Sequence, residues 1–206
     1  MISRLRTIAA TLAAASLLSG CAFQVWETAF PDSVDPAATR GWRVSEVTVD
    51  VPDTLTVSNA DVYLPMADIV WHGDRPGDRR EQVAALIESA AQDATRPLSG
   101  PRRVRIDVTL ERFHAISNIA RRTLTDAGVH DIAFTAQVID LRSGEALTPP
   151  VPIRADIEAL TGPEAVEAEA EGLTQKVRLR AHLADVFAAW LGIGPDVRRS
   201  FMRIGQ

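Results

Sequence analysis

Four histidines and a single cysteine are the side chains of this 206-residue chain best suited to metal binding or nucleophilic chemistry. His114 and His130 flank the segment SNIARRTLTDAG. If that segment closes a hairpin in which Leu110 pairs with Phe134, His114 falls opposite His130 on one face, and two facing imidazoles can share a metal ion. A third ligand is missing, because two-residue parity turns Asp131 to the other face and neither HxxE nor HExxH spacing occurs. No metal centre and no cofactor are therefore expected. The stretch Trp71-His72-Gly73-Asp74-Arg75-Pro76-Gly77-Asp78 is a polar loop ahead of a helix. There His72 and Asp74 have the residue types for acid–base work, and a helix N-terminus can receive an anion. Asp78 is better read as the helix cap, which uses those donors itself. With no GxSxG motif and no glycine-rich phosphate loop, no catalytic residue is assigned. The stretch is read first as a plain capping loop, with a partner or membrane contact by Trp71 as the next candidate.

These side chains need elements to hold them. Val47, Val49 and Val51 alternate with Thr48 and Asp50, the period of a half-buried strand, and ADIVWH (67–72) reads as a second. GDRREQVAALIESAAQDA follows as a helix, with Asp78 and Glu81 spaced as a capping box and Val83, Leu86, Ala90 and Ala94 on its inner face. Val104, Ile106, Val108 and Leu110 then alternate with polar residues in a third strand, and Ile132, Phe134, Ala136 and Val138 in a fourth. The turn Arg142-Ser143-Gly144-Glu145 leads to a fifth through Val151, Ile153 and Ile157. Because Pro149, Pro150 and Pro152 cannot donate ladder hydrogen bonds, this strand is expected at an edge. Thr161-Gly162-Pro163-Glu164 opens a long helix whose inner face runs from Val166 to Leu191, ending at Gly192 and Gly194-Pro195. One-sided strands need a covering layer. The order ββαβββα predicts an α+β two-layer sandwich, a mainly antiparallel sheet of about five strands under two amphipathic helices, over residues 42–194. The tail 195–206 mixes Arg198, Arg199 and Arg203 with Phe201, Met202 and Ile204, a composition suited to headgroups or a partner. Arg198, Arg199 and Phe201 join Trp71 as candidate contacts; docking of the tail on its own domain is the favoured reading.

The first residues carry a different signal. MISRLR supplies Arg4 and Arg6, and Thr7 to Leu18 is small or apolar throughout. That run falls short of the about 20 residues a membrane-spanning helix needs and fits the core of a secretory signal. Its end, Leu18-Ser19-Gly20-Cys21, resembles the lipobox of bacterial lipoproteins, in which cleavage precedes the cysteine. The resemblance implies a signal peptide at 1–20, recognised through Leu18, Ser19 and Gly20, and a lipid on Cys21. Two or more acyl chains make a stable anchor at about 0.8 kcal/mol per buried methylene. Residues 21–41 are then the lipidated N-terminus and a tether. Phe23, Trp26 and Phe30 within it are expected to fold back onto the domain.

Removing residues 1–20 takes away two arginines and no acid, so the formal charge of −5 becomes −7. An acidic chain is poorly matched to nucleic acid. Together the lipobox, tether, α+β domain and the hairpin VIDLRSGEAL resemble the auxiliary lipoproteins of Gram-negative envelope transport and assembly systems. The resemblance implies a non-enzymatic protein, anchored to the outer membrane and facing the periplasm, that contacts an envelope protein partner. Ala22 after the anchor, in place of aspartate, favours the outer over the inner membrane. A membrane-anchored periplasmic hydrolase using His72 or the His114/His130 pair is the other reading.

Overall fold

The computed structural model describes residues 24–205. The signal segment and Cys21 lie outside the described residues. The chain runs through β1 (Val25–Ala29), a short α1 (Pro36–Thr39), β2 (Trp42–Asp50), β3 (Val57–Ser58), β4 (Ile69–Val70), α2 (Arg79–Thr95), β5 (Arg102–His114), α3 (Asn118–Thr123), β6 (Val129–Asp140), β7 (Val151–Ala155), β8 (Ile157–Glu158), α4 (Gly162–Ala170), α5 (Gln175–Trp190) and β9 (Arg199–Met202). The fold is mixed α+β, with a larger sheet than the expected five strands: nine strands in the order β3-β4-β5-β6-β7-β1-β9, with β2 also on β5 and β8 also on β6.

The two long strands β5 and β6 form its antiparallel centre, with Val104 paired to Asp140 and Leu110 to Phe134. Their alternation is the source of the core: Val104, Ile106, Val108, Leu110, Ile132, Phe134, Ala136 and Val138 are all buried. Helices α2 and α5 cover this side. Val83, Leu86, Ile87 and Ala90 come from α2, and Leu179, Leu183, Val186 and Phe187 from α5. Phe187 stacks on Phe134 with ring centroids 5.3 Å apart. The capping reading of Asp78 matches the structure, since its carboxylate accepts from the amides of Arg80 and Glu81.

Four features depart from the sequence-based expectation. β2 runs parallel to β5, as do β4 to β5 and β3 to β4. The long C-terminal helix is two, because the chain turns at Gly172 (φ +83°) and restarts with Thr174 capping Val177; the break changes the helical phase, and Val166, Leu173 and Val177, expected on the inner face, are exposed. β7 is not an edge strand: β1 lies on its far side, but that pairing uses only Arg154 and Ala155, which leaves Pro152 outside that ladder. Finally, the segment read as a tether contributes to the sheet. β1 is antiparallel to β7 and to β9, with Val25 opposite Met202 and Thr28 opposite Arg199. Trp26, Thr28 and Phe30 are buried, and the Trp26 indole donates to the Arg203 carbonyl at 3.2 Å. The tail therefore docks on its own domain through β9.

Candidate functional site

At the end of the sheet where β5 finishes and β6 begins, two adjoining grooves share Leu64, Pro65 and His114. The first, about 470 Å³, is lined by Gln24, Trp26, Thr56, Asp68, Arg112 and Asp131 among others. The second, about 300 Å³, is largely apolar, with Tyr63, Ile116, Ala120, Leu124, Ala127 and Ile204 in its walls.

The chemistry of the first groove follows from an irregularity in β5. After Leu110↔Phe134 the register shifts, so the next pairs are Arg112↔Ala133, Phe113↔Ile132 and His114↔Asp131. In regular alternation Arg112 would share the buried face with Leu110. The bulge at Glu111 hands that place to Phe113, which is fully buried, and turns Arg112 to the groove. The expected facing of His114 and His130 fails for this reason. His114 sits opposite Asp131, and His130 pairs instead with Ile157.

A chain of charges runs from the groove wall at Asp68, Arg112 and Asp131 into the sheet at Arg154 and Asp156. Arg112 Nε donates to Asp131 at 2.5 Å, Arg154 reaches Asp131 at 3.2 Å and Asp156 at 2.9 Å, and Arg112 also lies 3.7 Å from Asp68. Asp156 is fully buried and accepts from the backbone amides of Glu27 and Ile132, tying β1 to β6. Burial raises its pKa, against the Glu27 amide bond and Arg154. Asp68 is shifted down by the Thr56 amide and hydroxyl it accepts from. His114 Nδ1 is 3.0 Å from both Arg112 Nη2 and the Ala67 carbonyl, so one tautomer accepts from the guanidinium and the other donates to the carbonyl. Burial, with Arg112 beside it, brings the His114 pKa down to about 4. It is neutral at pH 7.

The remaining histidines lie apart from this network. His130 is buried between β6 and the α4–α5 segment, beside Arg178 and Gln175; burial and then Arg178 bring its pKa to about 3. His182, on α5, meets the Ala155 carbonyl at 3.2 Å and is brought by burial to about 4. His72 is also shifted down by burial. The carboxylate of Asp74 is held by other partners: one oxygen accepts from the Trp71 indole at 2.8 Å, the other from Lys176 at 2.6 Å.

Trp71 is not a surface contact. It is fully buried, edge-on to Phe113 at 5.6 Å, with its one polar atom satisfied by Asp74. Arg198 lies over the Phe30 ring at 5.0 Å and is bound to Asp196, while Arg199 lies over Phe201 at 5.4 Å and pairs with Glu158. Arg198 and Arg199 stay exposed and Phe201 is half-buried. β9 is the last strand of the sheet on this side.

The sequence reading missed Arg112, Arg154, Asp68 and Asp156. One signal was available for Arg112: it continues the even-numbered apolar series 104–110 with a charge, which marks a place where the strand bulges or its buried face ends.

Around the grooves stands an apolar rim. Met66 is 94 % exposed, Ile204 67 %, Leu64 56 % and Tyr63 52 %, and at the neighbouring β1–β9 pair Met202 is 71 % and Val25 61 % exposed. Among the described residues no helix is long and apolar enough to cross a membrane.

Residues 42–206 match a family of unknown function, DUF6778. No curated protein matches the chain. Among solved structures, it is similar to a PelC dodecamer from Paraburkholderia phytofirmans at 13% identity and TM-score 0.37, over 80% of this chain and 96% of that one. A protein from Caulobacter crescentus CB15 aligns at 14% identity and TM-score 0.27, over 54% of this chain and 85% of that one.

Proposed function

The chain belongs to the DUF6778 family, whose function is unknown, and we propose that it is a lipid-anchored, non-catalytic auxiliary protein of the cell envelope. In this reading Cys21 carries the lipid, the domain faces the periplasm at the outer membrane, and an envelope protein is its partner. The observation that carries the proposal is the place of β1. A strand that starts at Val25 is paired on both sides, to β7 and β9, so an anchor at Cys21 holds the sheet itself at the membrane. The histidines favour binding over hydrolysis. His114 is tied to Arg112 and Ala67, His130 is buried, and the Asp74 carboxylate serves Trp71 and Lys176. The outer edge of β9 is the partner surface, where an extended segment can add a strand by main-chain pairing while Arg198 and Arg199 flank it.

The test is photocrosslinking in intact cells from a benzophenone amino acid placed at the exposed Ser200 of β9, in the native protein and in Cys21→Ser. One discrete envelope-protein adduct from the native form, with membrane fractionation and adduct both lost in Cys21→Ser, is expected. A substituted form that stays in the membrane fraction and keeps the same adduct refutes the reading.

A further inference from the structure

We propose that the end of the sheet bearing Tyr63, Leu64, Met66, Met202 and Ile204 is a membrane-seating surface, whose occupant is the headgroup and upper acyl region of the bilayer. The inference deepens the anchored reading and rests on it. Two independent features of the molecule converge here.

The first is covalent reach. Gln24 lines the same groove as Leu64 and Met66 and stands three residues after Cys21. Three residues of fully extended chain span at most about 11 Å. A lipid on Cys21 therefore cannot leave this end of the domain far from the bilayer surface; the geometry excludes an orientation with the opposite end, at Arg142 and Ser143, against the lipid.

The second is composition. Large apolar side chains exposed one at a time are ordinary, but here they cluster. Leu64 joins the two grooves, Met66 rims the first, and Tyr63 and Ile204 line the second. Met202 follows two residues before Ile204, and opposite Val25. Methionine, leucine, isoleucine and tyrosine are side chains that enter the interfacial region readily, tyrosine with its hydroxyl at headgroup level. Arg122 of α3, adjoining the second groove through Ala120 and Leu124, is largely exposed and within 3.6 Å of Asp61, placed to meet anionic headgroups. The other exposed apolar residues of the helical layer, Val166 on α4 and Val177 on α5, line neither groove and serve as the reference surface.

Depth measurement on the full lipidated chain tests this. An acylated Cys21 is blocked, so a cysteine introduced at one other position takes a nitroxide label alone. Met66→Cys, Met202→Cys and Ile204→Cys report on the proposed face, and Val166→Cys and Val177→Cys on the helical layer; all five positions are exposed, so the substitutions leave the core intact. Each protein is reconstituted in vesicles of phosphatidylethanolamine and phosphatidylglycerol. Collision with dissolved oxygen is compared with collision with a water-soluble nickel chelate. The expected result is an oxygen-to-nickel ratio several-fold higher at 66, 202 and 204 than at 166 and 177. Equal, water-like ratios at all five positions, in protein that floats with the vesicles, overturn the seating surface and leave the anchor standing. Protein that does not float, and whose mass shows a bare thiol at residue 21, overturns the anchor and the seating surface together.

Discussion

Three histidines give the fold an acid sensitivity that can be calculated. His114, His130 and His182 carry folded-state pKa values of about 4, about 3 and about 4, against 6.5 in an unstructured chain, and burial is the largest cause in each case. A histidine whose pKa is depressed by folding takes up a proton in the unfolded chain before it does so in the native one. Stability is then fully present above pH 6.5 and falls as pH drops from 6.5 towards the folded value. Between pH 7 and pH 5 each such histidine costs about 2 kcal/mol, from about 1.4 kcal/mol per pKa unit. Three together cost about 5–6 kcal/mol, comparable with the whole stability of many domains. The discriminating perturbation is His130→Gln, which replaces the most buried imidazole by a side chain of similar size that does not titrate. Urea unfolding followed by tryptophan fluorescence at pH 7 and pH 5 measures the loss. Over that interval His130→Gln should lose about 2 kcal/mol less than the native chain, whatever its stability at pH 7. Asp156, whose pKa burial raises, has the opposite sign: falling pH favours its native, protonated form. It is common to both proteins and cancels in the difference. An unchanged pH dependence in His130→Gln would show that this histidine is not held neutral by the fold, and the reasoning from its burial would be wrong.

Further perturbations test other parts of the structure. Asp131→Asn removes the shared acceptor of Arg112 and Arg154; because both arginines are partly solvated, a loss of about 1–2 kcal/mol in denaturant unfolding is expected. Trp71→Ala empties a fully buried site and frees Asp74, and should cost about 3–5 kcal/mol; a change below 1 kcal/mol would return Trp71 to the surface. Gly192→Ala puts a methyl group at φ +68° and 2.3 Å from the Val34 carbonyl oxygen, so a lowered melting temperature is expected, from a cost of about 1–3 kcal/mol.

What the sequence disclosed and what it hid have physical reasons. β5 and β6 were legible because Val104 to Leu110 and Ile132 to Val138 each place an apolar residue at every second position, and α2 because its cap, period and stop agree. The fate of His114 was not, because a single extra residue at Glu111 reverses facing for everything beyond it, and the sign of that reversal was one arginine out of phase. β1 and β9 were overlooked because each is too short to show a period of its own. Trp26, Thr28 and Phe30 do alternate, but they lie among prolines, and it is the tail that completes the pattern. The ion pairs beside the groove join β5, β6 and β7, and pairing between distant residues leaves no mark on local spacing. Trp71 was misplaced for a related cause: a tryptophan beside a polar loop looks exposed until an aspartate three residues on is seen to receive its indole.

The pairing of Val25 with Met202 bridges nearly the entire described chain. Loop closure over such a span is entropically costly and slow, so this corner of the sheet should be the last to assemble, once everything between has already condensed. Until that moment Trp26 and Phe30 have nowhere to hide. A nascent or refolding chain would therefore pass through a stage that is nearly native yet sticky at one margin, the stage at which chaperone capture or self-association has its opportunity.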